Sequence, residues 1–202
     1  MNTYLYNGHV VTASNKDELL NPKRVVAKDR GHLRELINEA VKKYGIRCDL
    51  NFIDVSNVTD MSNMFFYSYF NGDISKWNVS NVTDMKNMFY GSKFNGDISK
   101  WNVSNVTDMS WMFYDSNFNG DISRWDVSNV IKMIRMFFYS DFDGDISKWN
   151  VSHVTNMSDM FYGSEFNGDI SKWLPMMKKN KIDFDGLGLP PIKEDTWNDI
   201  EV

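Results

Sequence analysis

Residues 94–109 read FNGDISKWNVSNVTDM, and nearly the same string starts at Phe70, Phe118 and Phe142. Aligned on Phe-x-Gly-Asp, the copies lie 24 residues apart without insertion, and a truncated fifth copy opens at Phe166. Stepping back by the same interval puts Asp49, Leu50, Val55, Val58, Met61, Met64 and Phe65 on the positions of Asp73, Ile74, Val79, Val82, Met85, Met88 and Phe89, so a degenerate first copy occupies 46–69. A fixed period of this length is the signature of a solenoid, in which each repeat buries its apolar face only against its neighbours.

Within one copy, Ile74, Trp77 and Val79 predict a bend followed by a short strand with Trp77 and Val79 on one face. Ser80 or Asn81 can cap a short helix with Asp84 in its first turn, and Met85, Met88 and Phe89 recur at helical spacing. Asn71-Gly72 predicts a tight turn at positive φ. The expected fold class is therefore α/β, a right-handed leucine-rich-repeat-like solenoid of short parallel strands and short helices.

Stacked copies leave apolar ends that need covers. The amino-terminal cap is expected over 1–45: a hairpin around Asn7-Gly8, then an amphipathic helix over 29–44 with Asp29 as cap and Gly45 as stop. The repeats run over 46–173, as 46–69, 70–93, 94–117, 118–141, 142–165 and the partial 166–173. Leu174-Pro175 ends the pattern and opens a carboxyl-terminal cap and acidic tail over 174–202, where Met176, Met177, Ile182, Phe184, Leu187 and Leu189 can cover the last copy.

The chain has 202 residues, a formal net charge of −5 and one cysteine, Cys48. No basic footprint for nucleic acid is present, the charge is far short of a DNA mimic, and no internal disulfide is possible. No signal peptide, lipidation box or membrane span is legible. The expected compartment is the cytoplasm if Met1 is the native start, with secretion or the cell surface as the alternative.

The pattern Phe-Asn-Gly-Asp-Ile-Ser-x-Trp-Asn/Asp-Val-Ser-Asn-Val-Thr-x-Met-x-x-Met-Phe resembles the repeats of the BspA-like leucine-rich-repeat surface proteins of bacteria and the related mycoplasma lipoprotein families. The resemblance covers residues 46–173. It implies an irregular leucine-rich-repeat-like solenoid and a role in adhesion or protein binding rather than catalysis.

No chemistry stands out beside that reading. His9, His32 and His153 are scattered, and no glycine-rich phosphate loop occurs, so no enzyme and no cofactor are expected. The acidic series Asp73, Asp97, Asp121, Asp145 and Asp169 could hold calcium between turns. The basic series Lys76, Lys100, Arg124, Lys148 and Lys172 favours local pairing instead. The Asn-x-Ser/Thr sequons at Asn57, Asn78, Asn81, Asn102, Asn105, Asn150 and Asn156 are by-products of the repeat.

The informative positions are those where the copies disagree. Ile131-Lys132-Met133-Ile134-Arg135 replaces the usual Thr-Asp-Met-x-x, and Trp111 precedes Arg135 by one copy. Side by side on an outer ridge, Trp111 and Arg135 would stack as a cation–π pair. Ile134, Lys132 and Tyr139 share or adjoin that strip, and Tyr67 and Tyr69 mark its amino-terminal end. The expected function is a non-catalytic protein-binding module acting through this ridge. The alternative is an intracellular inhibitor or adaptor, encoded by a phage or mobile element, that blocks a host protein. The partner is a protein, with no nucleic acid and no membrane, and the chain is a monomer or a small closed oligomer. The strand face, with Ser75, Asn78 and their equivalents, is the other candidate surface.

Overall fold

The computed structural model describes residues 2–6, 9–13, 22–183 and 185–189. Its elements are β1 (Asn2–Tyr6), β2 (His9–Ala13), β3 (Val25–Val26), α1 (Arg30–Tyr44), β4 (Ile53–Asp54), a 3-10 turn (Ser171–Trp173), α2 (Leu174–Lys179) and a second 3-10 turn (Asp185–Leu187). Between β4 and Ser171 the backbone is built from turns and from isolated parallel bridges one copy apart, Asp60 to Asp84, Asp84 to Asp108, Asp108 to Lys132 and Lys132 to Asn156.

The segment expected as a short helix is a ribbon of consecutive turns. Alternate residues Met61, Asn63, Phe65 and Tyr67 donate backbone N–H to the carbonyls of Asp84, Lys86, Met88 and Tyr90 in the next copy, at 2.7–2.9 Å. The residues between them close local turns, Met64 to Met61, Phe66 to Asn63 and Ser68 to Phe65. This alternation needs left-handed backbone twice per copy. One column comprises Asn63, Asn87, Trp111, Arg135 and Asp159 at φ 50–56°, and the other Tyr67, Gly91, Asp115, Tyr139 and Gly163 at φ 49–67°. A right-handed helix would turn every N–H back on its own segment, whereas a left-handed residue re-aims alternate donors toward the neighbouring copy. The apolar spacing of Met85, Met88 and Phe89 suits both conformations, since all three point inward in either. The asparagines and glycines at the two left-handed columns were the sequence signal against a helix.

Two further local expectations are corrected. Residues 77–79 form no strand: Trp77 N–H closes a turn on the Ile74 carbonyl, and Val82 N–H on that of Val79. Gly72 has no positive φ, and its smallness serves close packing instead, because a Cβ there would lie 2.0 Å from the Cys48 carbonyl oxygen and 2.7 Å from the Phe70 ring. Gly96, Gly120, Gly144 and Gly168 are held against Phe94, Phe118, Phe142 and Phe166 in the same way.

Side chains replace backbone pairing where the ribbon ends. Asn71 Oδ1 accepts the Asn95 N–H at 3.0 Å, Asn95 that of Asn119, Asn119 that of Asp143, and Asp143 that of Asn167. Asn81, Asn105 and Asn129 donate Nδ2 to the serine carbonyl of the preceding copy, and His153 Nδ1 lies 2.6 Å from the equivalent Ser128 oxygen. Asn81 is thus a tie between copies rather than a helix cap, and His153 preserves that tie where asparagine is lost.

The core is a set of columns. Phe65, Phe89, Phe113, Phe137 and Phe161 stack at 5.4–5.8 Å, and Phe70, Phe94, Phe118, Phe142 and Phe166 at 6.2–6.4 Å. The indoles of Trp77, Trp101, Trp125 and Trp149 are buried, each donating Nε1–H at 3.0–3.1 Å to the carbonyl of Leu50, Ile74, Ile98 or Ile122. A buried indole N–H without such a partner costs free energy, so the tie specifies register as well as packing.

Both ends are covered. Asp29 caps α1 by accepting the His32 N–H at 2.9 Å, and Gly45 ends it at φ 88°. Leu33, Ile37, Ala40 and Tyr44 are its buried face, while Arg30 pairs with Asp60 at 3.1 Å. Strand β3, which periodicity did not predict, pairs in parallel with β4. β1 and β2 pair antiparallel with Tyr6 opposite His9, and Asn7-Gly8 lies outside the described residues. At the far end α2 starts at Leu174-Pro175 and buries Met177, and Asn180 donates to the Ser152 and Val154 carbonyls. The carbonyls of Gly186 and Leu187 then accept the N–H groups of Asp159 and Phe161, standing in for a further copy, with Leu187 buried and Leu189 partly so. Phe184 and the tail from 190 lie outside the described residues.

Candidate functional site

The turn ribbon places two neighbouring aromatic residues on opposite sides. Phe65 and its equivalents face the core; Phe66, Tyr90, Tyr114, Phe138 and Tyr162 follow them directly and face outward. The outer rings stack at 4.9, 4.3, 4.8 and 5.1 Å from copy to copy, a continuous aromatic ladder along the surface. Phe66 is 45% and Tyr162 49% exposed, and the three rings between them are half-buried. Burial, together with the neighbouring Tyr67 and Tyr114, raises the pKa of the Tyr90 hydroxyl.

Tyr67 and Tyr139 lie beside this ladder, 57% and 54% exposed. Their rings stand at 85° and 68° to Phe66 and Tyr90, and at 87° and 78° to Phe138 and Tyr162. Ring planes nearly perpendicular to the stacked rings run along the ladder. Each lies over the glycine of the next copy: a Cβ on Gly91 would be 2.3 Å from Tyr67, and one on Gly163 2.2 Å from Tyr139. Glycine suits the left-handed φ, which Asp115 also adopts in this column, and the ring above it is what leaves no room for a Cβ.

The predicted Trp111–Arg135 pair does not form. Trp111 is half-buried, with the Lys86 ammonium 5.0 Å from its ring centroid. Arg135 lies 5.3 Å from the Phe138 centroid and binds Asp159 through Nε and Nη2 at 2.9 and 2.8 Å. Both residues occupy the left-handed column, but Trp111 meets a lysine of the preceding copy and Arg135 a carboxylate of the following one. Ile134 is half-buried and its carbonyl accepts the Trp111 N–H at 2.8 Å, while Lys132 is exposed and bridges Asp108 and Asn156. Ile131, 42% exposed, interrupts the column in which Thr83, Thr107 and Thr155 tie their hydroxyls to the preceding copy. Tyr69, at 72% exposed, heads the column that continues through Lys93, Asn117 and Asp141. The signal that locates Phe66, Tyr90, Tyr114, Phe138 and Tyr162 is an aromatic residue after every Met-Phe, and its regularity makes it look like core.

The acidic series is locally satisfied. Asp73, Asp97, Asp121, Asp145 and Asp169 each accept the N–H of the serine two residues on at 2.8–2.9 Å. The serine, through hydroxyl and backbone, holds Asp97 and Asp121 below the usual carboxylate range, with the lysine or arginine three residues on a lesser contributor. The basic series therefore acts at longer range than direct pairing. Asp84 differs: burial first, then Asp60 and Asp108 on either side, raises its pKa. Burial pushes the Cys48 thiol up to about 12. Among the described residues no group of three or more His, Cys, Asp or Glu is arranged around a common point, and no helix is long and apolar enough to cross a membrane.

No curated protein and no solved structure shows significant similarity to the chain. The family described as "Mycoplasma protein of unknown function, DUF285" matches twice, over residues 33–139 and 92–184, two overlapping registers of one repeat. Together they run from Leu33, within α1, through every full copy and α2, and the protein belongs to this family.

Proposed function

We propose that the protein is a non-catalytic binding module, a leucine-rich-repeat-like solenoid that recognises a protein partner through its outer ridge. The observation that carries the reading is the outward aromatic ladder with Arg135 over Phe138, in the copy that also exposes Ile131 and Lys132. Aromatic and arginine side chains dominate binding hot spots, and a row of half-exposed rings is a surface that folding alone does not require. Resemblance to the BspA-like surface proteins makes the adhesion type the first form of this reading. An intracellular inhibitor or adaptor is the second, favoured by the single buried cysteine, which suits a reducing compartment.

The test is capture from host extracts by wild type and by the double variant Trp111→Asn, Arg135→Asn. Asparagine occupies the same left-handed column at Asn63 and Asn87, so the variant should fold with an unchanged Tm. Loss of a specific captured protein supports the ridge. Undiminished capture moves recognition to the face that carries Ser75, Asn78 and their equivalents.

A further inference from the structure

The pair Tyr67 over Gly91 recurs as Tyr139 over Gly163, with the same flanking Phe, the same left-handed φ and the same ring orientation. They are three copies apart. With ring-to-ring steps of 4.9, 4.3 and 4.8 Å between Phe66 and Phe138, and the ~4.8 Å spacing of hydrogen-bonded strands, the platforms are separated by about 14 Å. Each tyrosine ring packs against the glycine of the next copy and beside two ladder rings, and more than half of the residue's surface is open.

We propose that Tyr67 and Tyr139 are two stacking platforms for a linear β-linked glycan lying along the ridge. A flat, exposed tyrosine face matches the axial C–H face of a pyranose, which aromatic rings bind by dispersion and weak C–H···π contacts. The copy-to-copy step is close to the length of one β-linked hexose, so a chain running along the ridge would present every third sugar to a platform. Along the same stretch lie the exposed Asp115 in the tyrosine column and, beside it, the exposed Lys93 and Asp141 joined through the half-buried Asn117, charged groups suited to sugar hydroxyls. An extended peptide is disfavoured here, because the alternate N–H groups of the ribbon are spent on the next copy and offer no edge for strand addition. This goes beyond the protein-binding reading on the same outer ridge, and the tyrosine variants leave Trp111 and Arg135 intact, so either reading can fail alone.

The experiment is calorimetric titration of the full chain with cellohexaose and chitohexaose, and with the matching trisaccharides. The variants are Tyr67→Gly, Tyr139→Gly and the double variant; glycine is the natural residue of this column at Gly91 and Gly163, so the fold is retained. At least one hexasaccharide should bind about tenfold more tightly than its trisaccharide, the increment worth one added stacking contact. Either single variant should bring the hexasaccharide to trisaccharide affinity, and the double variant should abolish binding. Absence of binding to every probe overturns the proposal, as do equal affinities for the two lengths or binding that survives in the double variant. Tyrosine-dependent capture of a deglycosylated protein with no oligosaccharide binding overturns it in favour of a protein ligand.

Discussion

Phe113 and Tyr114 are adjacent in the chain and belong to parallel ladders with similar steps, 5.5 Å to Phe89 on the inside and 4.3 Å to Tyr90 on the outside. The inner column is phenylalanine in every copy and fully buried. The outer column mixes phenylalanine and tyrosine and stays partly open. A buried ring has no room for an unpartnered hydroxyl, whereas an outward ring can place one in water. The same stacking geometry therefore stabilises on one side of the ribbon and leaves aromatic surface available on the other.

The largest expected effect follows from breaking the inner side only. Phe113→Ala should cost about 3–5 kcal/mol, the range for a buried aromatic truncated in a core that cannot collapse around it. Tyr114→Ala should cost about 1 kcal/mol, since part of its surface is already in water and mainly two stacking contacts are lost. Urea denaturation of both variants compares them directly; equal losses would erase the distinction between the ladders.

A smaller effect sharpens the outer side. Gly163→Ala forces a Cβ into the left-handed column under the Tyr139 ring and should cost about 1–2 kcal/mol for the backbone alone. In a Tyr139→Gly background the cost should fall, leaving only the backbone component. An unchanged cost would mean that the ring does not rest on the glycine.

The smallest effects are electrostatic. Asp54, Asp97, Asp121 and Asp126 have lowered folded-state pKa values through the serine two residues on. The stability they contribute is present above the unfolded carboxylate pKa of about 3.9 and is lost as pH falls through their folded values. Asp84 has the opposite sign: its folded pKa is raised, so it weakens the fold as pH rises from the unfolded value of about 3.9 through its folded value. Asp84→Asn should thus raise Tm slightly at pH 7 and not at pH 3. Asn156 already accepts the equivalent backbone bond at 3.0 Å, so the turn is retained. A fall in Tm at pH 7 would show that the stacked carboxylates are not in mutual opposition.

The residues show why some of this was legible beforehand. The copies are in register without insertion, so Phe89, Met88, Trp77 and Val79 declared themselves core. Asp29 and Gly45 bracketed α1 because capping chemistry is local. The helix expected around Met85–Phe89 was wrong because apolar spacing reports which side chains face inward, not the hand of the backbone that carries them. Trp111 and Arg135 were rightly placed in one column and wrongly paired, since Asp159 holds the guanidinium toward the following copy while Trp111 meets Lys86 of the preceding one. β3 escaped notice because two residues carry no period.

The amino-acid sequence by itself determined the repeat length, the core columns and the caps, because each is written in local pattern and recurs at a fixed interval. Only the tertiary structure decided that the ribbon alternates its hydrogen bonds between itself and the next copy. The outward aromatic ladder and the two tyrosines lying over glycine follow from that alternation. The physical reason is that hydrogen bonds between residues one copy apart choose the backbone hand, and the backbone hand chooses which side chains meet.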